Sequence, residues 1–203
     1  MPGGARRGRD RSLPPRRIPL FRRNGICCKV AIILEALNIP YTTTFVDFTA
    51  VKQEPYTAVN PNGRLPALTN LNANLTLWES GAIVQYLIDT YDAEKYSLSY
   101  ESFPGRYLTQ QWLHFQMSGQ GPYYGQLGWF KRQNDPQTQA LAIKRYSDEI
   151  HRVTSVLDEA ANQLGDDFPN VTAWMERMKA RPEVAKVMRE KQEALAAMMA
   201  QGN

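Results

Sequence analysis

Two adjacent cysteines are the side chains in this chain of 203 residues with the most evident reactivity. Cys27 and Cys28 precede apolar residues at helical spacing, so we expect them at the amino-terminal end of a helix. The helix dipole and the unpaired N–H groups there favour a thiolate, which is the nucleophilic form of cysteine. Adjacent cysteines are, however, poorly placed to act as a dithiol pair, and the alternative is that both are small buried residues.

The chain has two histidines, the side chains that most often bind transition metals in proteins. His114 and His151 lie far apart, and neither has a cysteine or carboxylate partner at ligand spacing. Two cysteines alone cannot supply a four-ligand zinc site or an extracellular disulfide framework. We therefore expect no metal and no bound cofactor, and we expect a reducing compartment, the cytoplasm.

The net charge of +4 arises in the first residues of the chain. Positions 1–23 hold eight arginines and one aspartate, which gives that segment +7 and leaves −3 for the remainder. Prolines and glycines are frequent there and apolar residues are scarce, so we expect a disordered basic tail over residues 1–16. Besides an inert tail, organelle targeting and contact with polyanions by charge alone stay open.

Composition also excludes two classes of partner. A disordered arginine segment carries charge but no element that reads bases, so we expect no nucleic-acid partner. No apolar stretch approaches the roughly 20 residues that span a bilayer, so we expect no membrane insertion. The apolar fraction of 43% and the charged fraction of 22% are typical of a globular protein.

The first predicted elements would place the cysteines in a βαβ unit. Apolar spacing predicts a helix over residues 28–37, which Asn38 and Pro40 end. β-branched and aromatic residues predict a strand over residues 41–48, and a weaker strand over residues 18–21 would precede the helix.

A hairpin and a helix are predicted next, followed by helices alone. Short strands over residues 65–68 and 75–78 follow a turn at residues 60–63. Ser80 is expected to cap the helix that begins after the hairpin. Beyond Tyr91 the apolar spacing is helical, which predicts a small α/β domain followed by an all-α domain.

Two motifs in the first half carry a family resemblance. Residues 60–68 (NPNGRLPAL), followed by residues 78–83 (WESGAI), resemble the amino-terminal half of glutathione transferases in order and spacing. Residues 112–126 resemble the fungal Ure2-like subgroup of that family. The resemblance implies a thioredoxin-like glutathione-binding domain over residues 17–92 and a helical domain over residues 101–200.

The resemblance also implies how glutathione would be held. In this family the proline equivalent to Pro66 is cis, which leaves the backbone of Leu65 free to pair with the cysteinyl residue of an extended tripeptide. Ser80 and the backbone amides at the helix start would hold the γ-glutamyl carboxylate, while Glu79 pairs with its ammonium. Lys52 would meet the glycyl carboxylate.

A second substrate would be an electrophilic apolar small molecule. The family resemblance suggests a cleft lined by aromatic side chains, and the alternative is that these residues are ordinary core aromatics. The candidates are Trp112, Phe115, Tyr123 and Tyr124. The resemblance further implies a homodimer.

The catalytic position departs from the family pattern. In the Ure2-like subgroup the thiolate is stabilised by an asparagine, or by a nearby serine or threonine, three residues before the lysine that starts the first helix. Counted back from Lys29, that position holds Ile26, and Asn24 lies two residues earlier. Asn24 is the candidate donor, and Cys27 or Cys28 could instead form a mixed disulfide with glutathione.

A second departure lies near residue 165. Relatives interpose a buried, capped helix where this chain has residues 163–169 (QLGDDFP), so the helical domain is expected to lack one core helix. Its loss would leave the apolar surface around Tyr146, Val153 and Trp174 partly uncovered.

Three functions are compatible with these residues. The first is a glutathione S-transferase that conjugates glutathione to a xenobiotic or a fungal secondary metabolite. The second is a regulatory protein that binds glutathione without turnover, and the third is glutathione-dependent thiol–disulfide exchange through the two cysteines.

Overall fold

A computed structural model describes residues 18–22, 28–47, 49–133, 136–160 and 169–201. The chain divides into two compact units, which we call the amino-terminal unit (up to Ile83) and the carboxy-terminal unit (from Val84). The domain boundary expected between residues 92 and 101 stays a prediction. The expected disorder of residues 1–16 lies outside the described residues.

The amino-terminal unit is built on a four-stranded sheet. Its strands are β1 (Ile18–Arg22), β2 (Tyr41–Phe45), β3 (Ala67–Asn70) and β4 (Leu75–Trp78). Its helices are α1 (Cys28–Ala36), α2 (Tyr56–Val59) and α3 (Ser80–Tyr91), of which α3 continues into the carboxy-terminal unit, and Ala50–Lys52 form a 3₁₀ turn.

The strands are arranged in the order β2-β1-β3-β4. β1 runs parallel to β2, with Ile18 opposite Tyr41, and β3 runs antiparallel to both β1 and β4. A parallel pair requires a crossover, and α1 supplies it. The expected βαβ unit followed by a hairpin is confirmed, and it is the thioredoxin-like arrangement. Leu20, Val30, Leu34 and Leu68 are fully buried in this unit.

The predicted third strand is shifted. β3 begins at Ala67 rather than Leu65, and it extends to Asn70. Pro66 has no N–H to donate to a strand ladder, so regular pairing starts only after it. Phe48, the predicted end of the second strand, lies outside the described residues, and β2 ends at Phe45.

The carboxy-terminal unit is helical, as expected. After α3 it contains α4 (Phe103–Phe115), a π-helical turn (Gln116–Gln120), α5 (Gly121–Phe130), α6 (Pro136–Ala160), α7 (Pro169–Lys179) and α8 (Pro182–Gln201). Ser102 caps α4 by accepting a hydrogen bond from the N–H of Gly105. Pro136, Pro169 and Pro182 each stand at a helix start, where the missing N–H of proline costs no hydrogen bond.

The expectation of uncovered apolar surface is wrong for Val153 on α6, which is only 1% exposed. Gly119 in the π-helical turn lies against it, so this surface of α6 is covered by the segment before α5. Trp174 on α7 does remain 42% exposed. The expected loss of a helix near residues 163–169 falls almost entirely outside the described residues, because residues 161–168 are not described.

Neither a membrane span nor a metal cluster is found where the structure describes the chain. No helix there combines the length and apolar character needed to cross a bilayer. Nor do three or more histidine, cysteine, aspartate or glutamate side chains in those segments gather as a metal site requires.

Candidate functional site

The hairpin register brings the two glutathione motifs together at one end of the sheet. Ala67 on β3 is the partner of Trp78 on β4. Pro66 immediately precedes Ala67, and Glu79 immediately follows Trp78. Pro66 and Glu79 therefore each lie one residue beyond the last pair of the ladder, at the same end of the hairpin.

Leu65 presents its backbone at this end. The Leu65–Pro66 peptide is cis, as the family resemblance implies. Neither the N–H nor the C=O of Leu65 has a hydrogen-bond partner among the described residues. The Leu65 side chain packs against a buried cluster formed by Val51, Tyr56 and Ala67. This packing holds the backbone N–H and C=O of Leu65 in place.

Two buried side chains hold the chain just before Leu65. The Tyr56 hydroxyl and the Asn60 side-chain amide both donate to the C=O of Arg64, over 2.7 and 2.6 Å. Asn60 also accepts from the N–H of Asn62 through Oδ1, which closes the turn. The sequence of residues 60–68 predicts the turn and carries the family resemblance, but it does not reveal Tyr56 and Asn60 as donors, because their acceptor is a backbone oxygen.

Lys52 lies over the same turn. Its Nζ donates to the C=O of Asn62 over 2.9 Å. Gly63 has φ +58°, and a Cβ added to it would lie 2.7 Å from both Lys52 Cδ and the C=O of Val51. Position 63 therefore favours glycine for two reasons: its φ is positive, and an added Cβ would collide with Lys52 and the backbone of Val51. The contact places the Lys52 stem against the turn with its ammonium exposed.

Glu79, and not Ser80, occupies the capping position of α3. The C=O of Glu79 accepts the first helical hydrogen bond, from the N–H of Ile83 over 3.0 Å, and Ser80 is already the first helical residue. Glu79 has φ 75°, which is uncommon for a residue other than glycine. The expected cap is therefore wrong by one residue, since a glutamate in a left-handed conformation leaves no local sequence signal. Glu79 is exposed and Ser80 half-buried.

The predicted aromatic residues of the second-substrate pocket fall into separate groups on the carboxy-terminal unit. Trp112 and Phe115 pack edge to face on α4, with ring centroids 5.4 Å apart. Tyr123 on α5 contacts Tyr146 on α6 at 6.4 Å, and Tyr124 is 52% exposed. Tyr146 was not among the predicted pocket residues, and its contact with Tyr123 is made across two helices.

The candidate catalytic residues are mostly outside the described chain. Asn24 and Cys27 belong to residues 23–27, which are not described. Cys28 is the first residue of α1 and is a free, half-buried thiol. The assignment of all three to catalysis stays a prediction.

Comparison with known proteins agrees with this arrangement. Residues 17–89 match the family model "Glutathione S-transferase, N-terminal domain". "Glutathione S-transferase-like protein gedE" of Aspergillus terreus is 49% identical over 79% of this chain and 88% of its own length. "Glutathione S-transferase-like protein tpcF" of Aspergillus fumigatus is 40% identical over 79% of this chain and 89% of its own length.

A solved structure extends the likeness to three dimensions. Glutathione transferase URE2P6 from Phanerochaete chrysosporium, crystallised with oxidized glutathione, superposes with a TM-score of 0.77 at 35% identity. The match covers 87% of this chain and 97% of that one. With most of both chains matched in sequence and in fold, this protein belongs to the glutathione S-transferase superfamily, in its Ure2-like subgroup.

Proposed function

We propose that the amino-terminal unit binds glutathione and that the protein transfers the glutathione thiol to an electrophilic apolar small molecule, a xenobiotic or a fungal secondary metabolite. The observation that carries the proposal is the pairing of Ala67 with Trp78, which puts Pro66 and Glu79 at the same end of the hairpin. A tripeptide lying across this end of the hairpin meets a backbone peptide and a helix start together.

The cysteinyl residue of glutathione pairs with Leu65. Its N–H and C=O form antiparallel hydrogen bonds with the C=O and N–H of Leu65, which have no partner among the described residues. Main-chain pairing of this kind sets the direction of the peptide, and it leaves the cysteinyl side chain to be oriented by other groups.

The γ-glutamyl end is bound at the start of α3. Ser80 and the first backbone N–H groups of α3 donate to its carboxylate, which the positive end of the helix dipole also stabilises. The exposed Glu79 carboxylate pairs with the ammonium group. One helix start thus binds both charges of the amino-acid end.

The glycyl carboxylate meets Lys52. The bond from Lys52 Nζ to the C=O of Asn62 uses one of three N–H donors of the ammonium group, so two remain for the ligand. Because Gly63 supports the lysine stem, the cation is positioned before the ligand arrives.

Conjugation requires the glutathione thiolate, since the thiol is a poor nucleophile. Asn24 is the proposed donor to the sulfur. The second substrate is bound by aromatic side chains of the carboxy-terminal unit, and Trp112, Phe115, Tyr123 and Tyr124 are the proposed lining. We also propose that the protein acts as a homodimer and requires no cofactor besides its co-substrate.

The first test is direct binding. Titration calorimetry with glutathione is expected to give saturable heat, and Ser80→Ala and Lys52→Met are each expected to raise Kd about tenfold, the loss of one charge-assisted hydrogen bond. Ser147→Ala and Lys131→Met, both at exposed positions of the carboxy-terminal unit, serve as matched controls. Absence of binding by a folded sample would reject the proposal.

The second test separates turnover from binding. Thioether formation from chlorodinitrobenzene is expected with the wild-type protein, and it should decline in the Ser80→Ala variant. Glutathione binding without any thioether would favour the alternative function, a regulatory glutathione-binding protein, over the transferase.

A further inference from the structure

Asn62 and Gly63 form an asparagine–glycine pair in the turn that Lys52 contacts. The Asn62 side chain is exposed, and its amide has no hydrogen-bond partner among the described residues. The glycine has no Cβ to shield its backbone nitrogen from the side chain of the preceding residue. This nitrogen and Cγ of Asn62 can therefore join to close a succinimide ring.

The peptide group between these two residues is in contact with a cation. Lys52 Nζ donates to the C=O of Asn62 over 2.9 Å, and this oxygen belongs to the same peptide group as the nitrogen of Gly63. An amide that loses its N–H proton carries negative charge on its oxygen, which an adjacent ammonium stabilises. Lys52 therefore favours the anionic form of the Gly63 nitrogen, which is the nucleophile in ring closure.

A backbone hydrogen bond opposes the reaction. The N–H of Gly63 donates to the C=O of Asn60 over 2.9 Å, and Asn60 is buried. The proton can leave only when this bond opens. Local opening of a turn requires less free energy than global unfolding, so the reaction proceeds slowly in the folded protein.

We propose that Asn62 is a site of spontaneous deamidation, and that the change weakens glutathione binding through Lys52. The proposal rests on the proposed function, in which Lys52 meets the glycyl carboxylate. It adds to that function a loss of affinity as the protein ages.

The reaction needs no partner except water. The Gly63 nitrogen bonds to Cγ of Asn62, the bond from Cγ to the side-chain nitrogen breaks, and that nitrogen leaves as ammonia with the proton of the Gly63 N–H. Water then opens the succinimide at either carbonyl. One product is aspartate at position 62, and the other is isoaspartate, in which the backbone passes through the former side chain.

Both products place a carboxylate beside Lys52. The ammonium contacts the C=O of Asn62, so a negative charge on that same residue lies close to it. The new carboxylate competes with the glycyl carboxylate for the cation and repels it. Isoaspartate also lengthens the backbone of the turn, and it thereby displaces the oxygen that holds Lys52 in place.

Peptide mapping by mass spectrometry measures the conversion. The native protein is kept at mildly alkaline pH and digested with trypsin, and the peptide of residues 53–64 is followed over time. Asn62 is expected to convert to aspartate and isoaspartate, while Asn60 stays intact because Pro61 has no N–H. Absence of conversion in the native protein, under conditions in which the urea-unfolded chain converts, would overturn the proposal.

Lys52→Met tests the contribution of the ammonium. We expect folded Lys52→Met to convert Asn62 more slowly than the folded wild type, and the two chains to convert at the same rate in urea, where the contact is lost. Lys131→Met, at an exposed position of the carboxy-terminal unit, is the control and should leave both rates unchanged. An equal or faster rate in folded Lys52→Met would overturn the activating role of Lys52.

Calorimetry with glutathione tests the consequence for binding. Asn62→Asp reproduces one product, and we expect it to raise Kd about fivefold, the upper range for an exposed ion pair, without a change in melting temperature. Asn62→Gln is the matched control, because glutamine is neutral and its longer side chain closes an imide ring far more slowly. Equal glutathione affinity in Asn62→Asp and the wild type would overturn the coupling to Lys52.

Storage distinguishes Asn62 from the second asparagine–glycine pair in the sequence, Asn24–Gly25, which lies outside the described residues and in a different tryptic peptide. The glutathione affinity of the wild type should decline in step with conversion at Asn62, and Asn62→Gln should keep its affinity. An equal decline in both would overturn the proposal. A protein that never binds glutathione would still show the conversion by mass, so failure of the proposed function is separately visible.

Discussion

The Asp158 carboxylate near the end of α6 accepts a hydrogen bond from the backbone N–H of Val171 in the first turn of α7, over 2.8 Å. The side-chain amide of Asn170 donates to its other oxygen over 3.3 Å. Asp158 is 6% exposed, so the start of α7 is capped by a buried carboxylate of the preceding helix. Sequence spacing alone does not reveal a cap supplied from another helix.

Replacing Asp158 should destabilise the carboxy-terminal unit. Asp158→Ala leaves the N–H of Val171 without its acceptor, and we expect a loss of about 1–2 kcal/mol in the free energy of unfolding, as for other lost caps. Asp148→Ala is the matched control, because Asp148 pairs with Lys144 at an exposed position and its loss should cost under about 0.5 kcal/mol. Urea unfolding measures both variants, and equal losses would contradict the capping role.

Asp92 predicts a dependence of stability on pH. Its carboxylate is fully buried and accepts from the N–H groups of Ser97 and Leu98, both over 2.9 Å, and from the hydroxyls of Ser97 and Ser99. Burial by itself raises the pKa of Asp92, but the hydrogen bonds from Ser97, Leu98 and Ser99 outweigh it and hold the pKa below its usual value.

The sign of the effect follows from that direction. Because the pKa is lower in the folded state, the stabilisation is complete above the unfolded value of about 3.9 and is lost as pH falls through the folded value. Asp92→Asn should therefore cost more at pH 7 than in strong acid. Asp89→Asn, exposed on α3, is the control, and a loss for Asp92→Asn that is independent of pH would contradict the charge effect.

Gly63 and Gly125 should respond oppositely to alanine. Gly63→Ala forces a Cβ into the Lys52 stem and the Val51 carbonyl at a positive φ, so we expect lower stability and weaker glutathione binding. Gly125 on α5 has no atom within 4 Å of an added Cβ, and alanine there should raise helix stability by up to about 1 kcal/mol. Thermal melts and calorimetry distinguish the two, and an undiminished glutathione affinity in Gly63→Ala would contradict the role given to Lys52.

The two cysteines separate transfer from disulfide exchange. If Asn24 stabilises the thiolate of glutathione, replacing both Cys27 and Cys28 with serine should leave the chlorodinitrobenzene rate nearly unchanged. The wild type and the double variant should also reduce a glutathione-linked disulfide at the same rate. A rate of disulfide reduction that disappears with the cysteines would instead establish thiol exchange.

Local patterns predicted the elements that position the site. The helical spacing after Cys28 and the short strand predicted over residues 75–78 both depend on residues close together in the sequence, and α1 and β4 follow these predictions closely. The order of β1, α1, β2 and the hairpin then restricts the possible sheet topologies. A parallel strand pair needs a crossover connection, and the helix between β1 and β2 can provide it. The family motifs at Pro66 and Ser80 added the ligand hypothesis.

The features that the sequence did not predict depend on contacts between residues that are far apart in the chain or on backbone conformations that no local pattern specifies. The buried carboxylates of Asp92 and Asp158 are stabilised by backbone N–H groups that only the folded chain brings to them. Tyr123 and Tyr146 meet because α5 packs on α6, and neither helix alone indicates the pair. The left-handed backbone of Glu79 is a further example, because glutamate rarely adopts it and nothing local specifies it.

The turn between β3 and β4 offers a place for insertion. Residues 71–74 are all exposed, and the three residue steps from Ala67 to Asn70 carry the turn about 10 Å from the end where Pro66 and Glu79 meet. Exposed loop tips tolerate added sequence best. An epitope or a fluorescent label placed there would report on the folded protein while leaving the opposite end of the hairpin accessible.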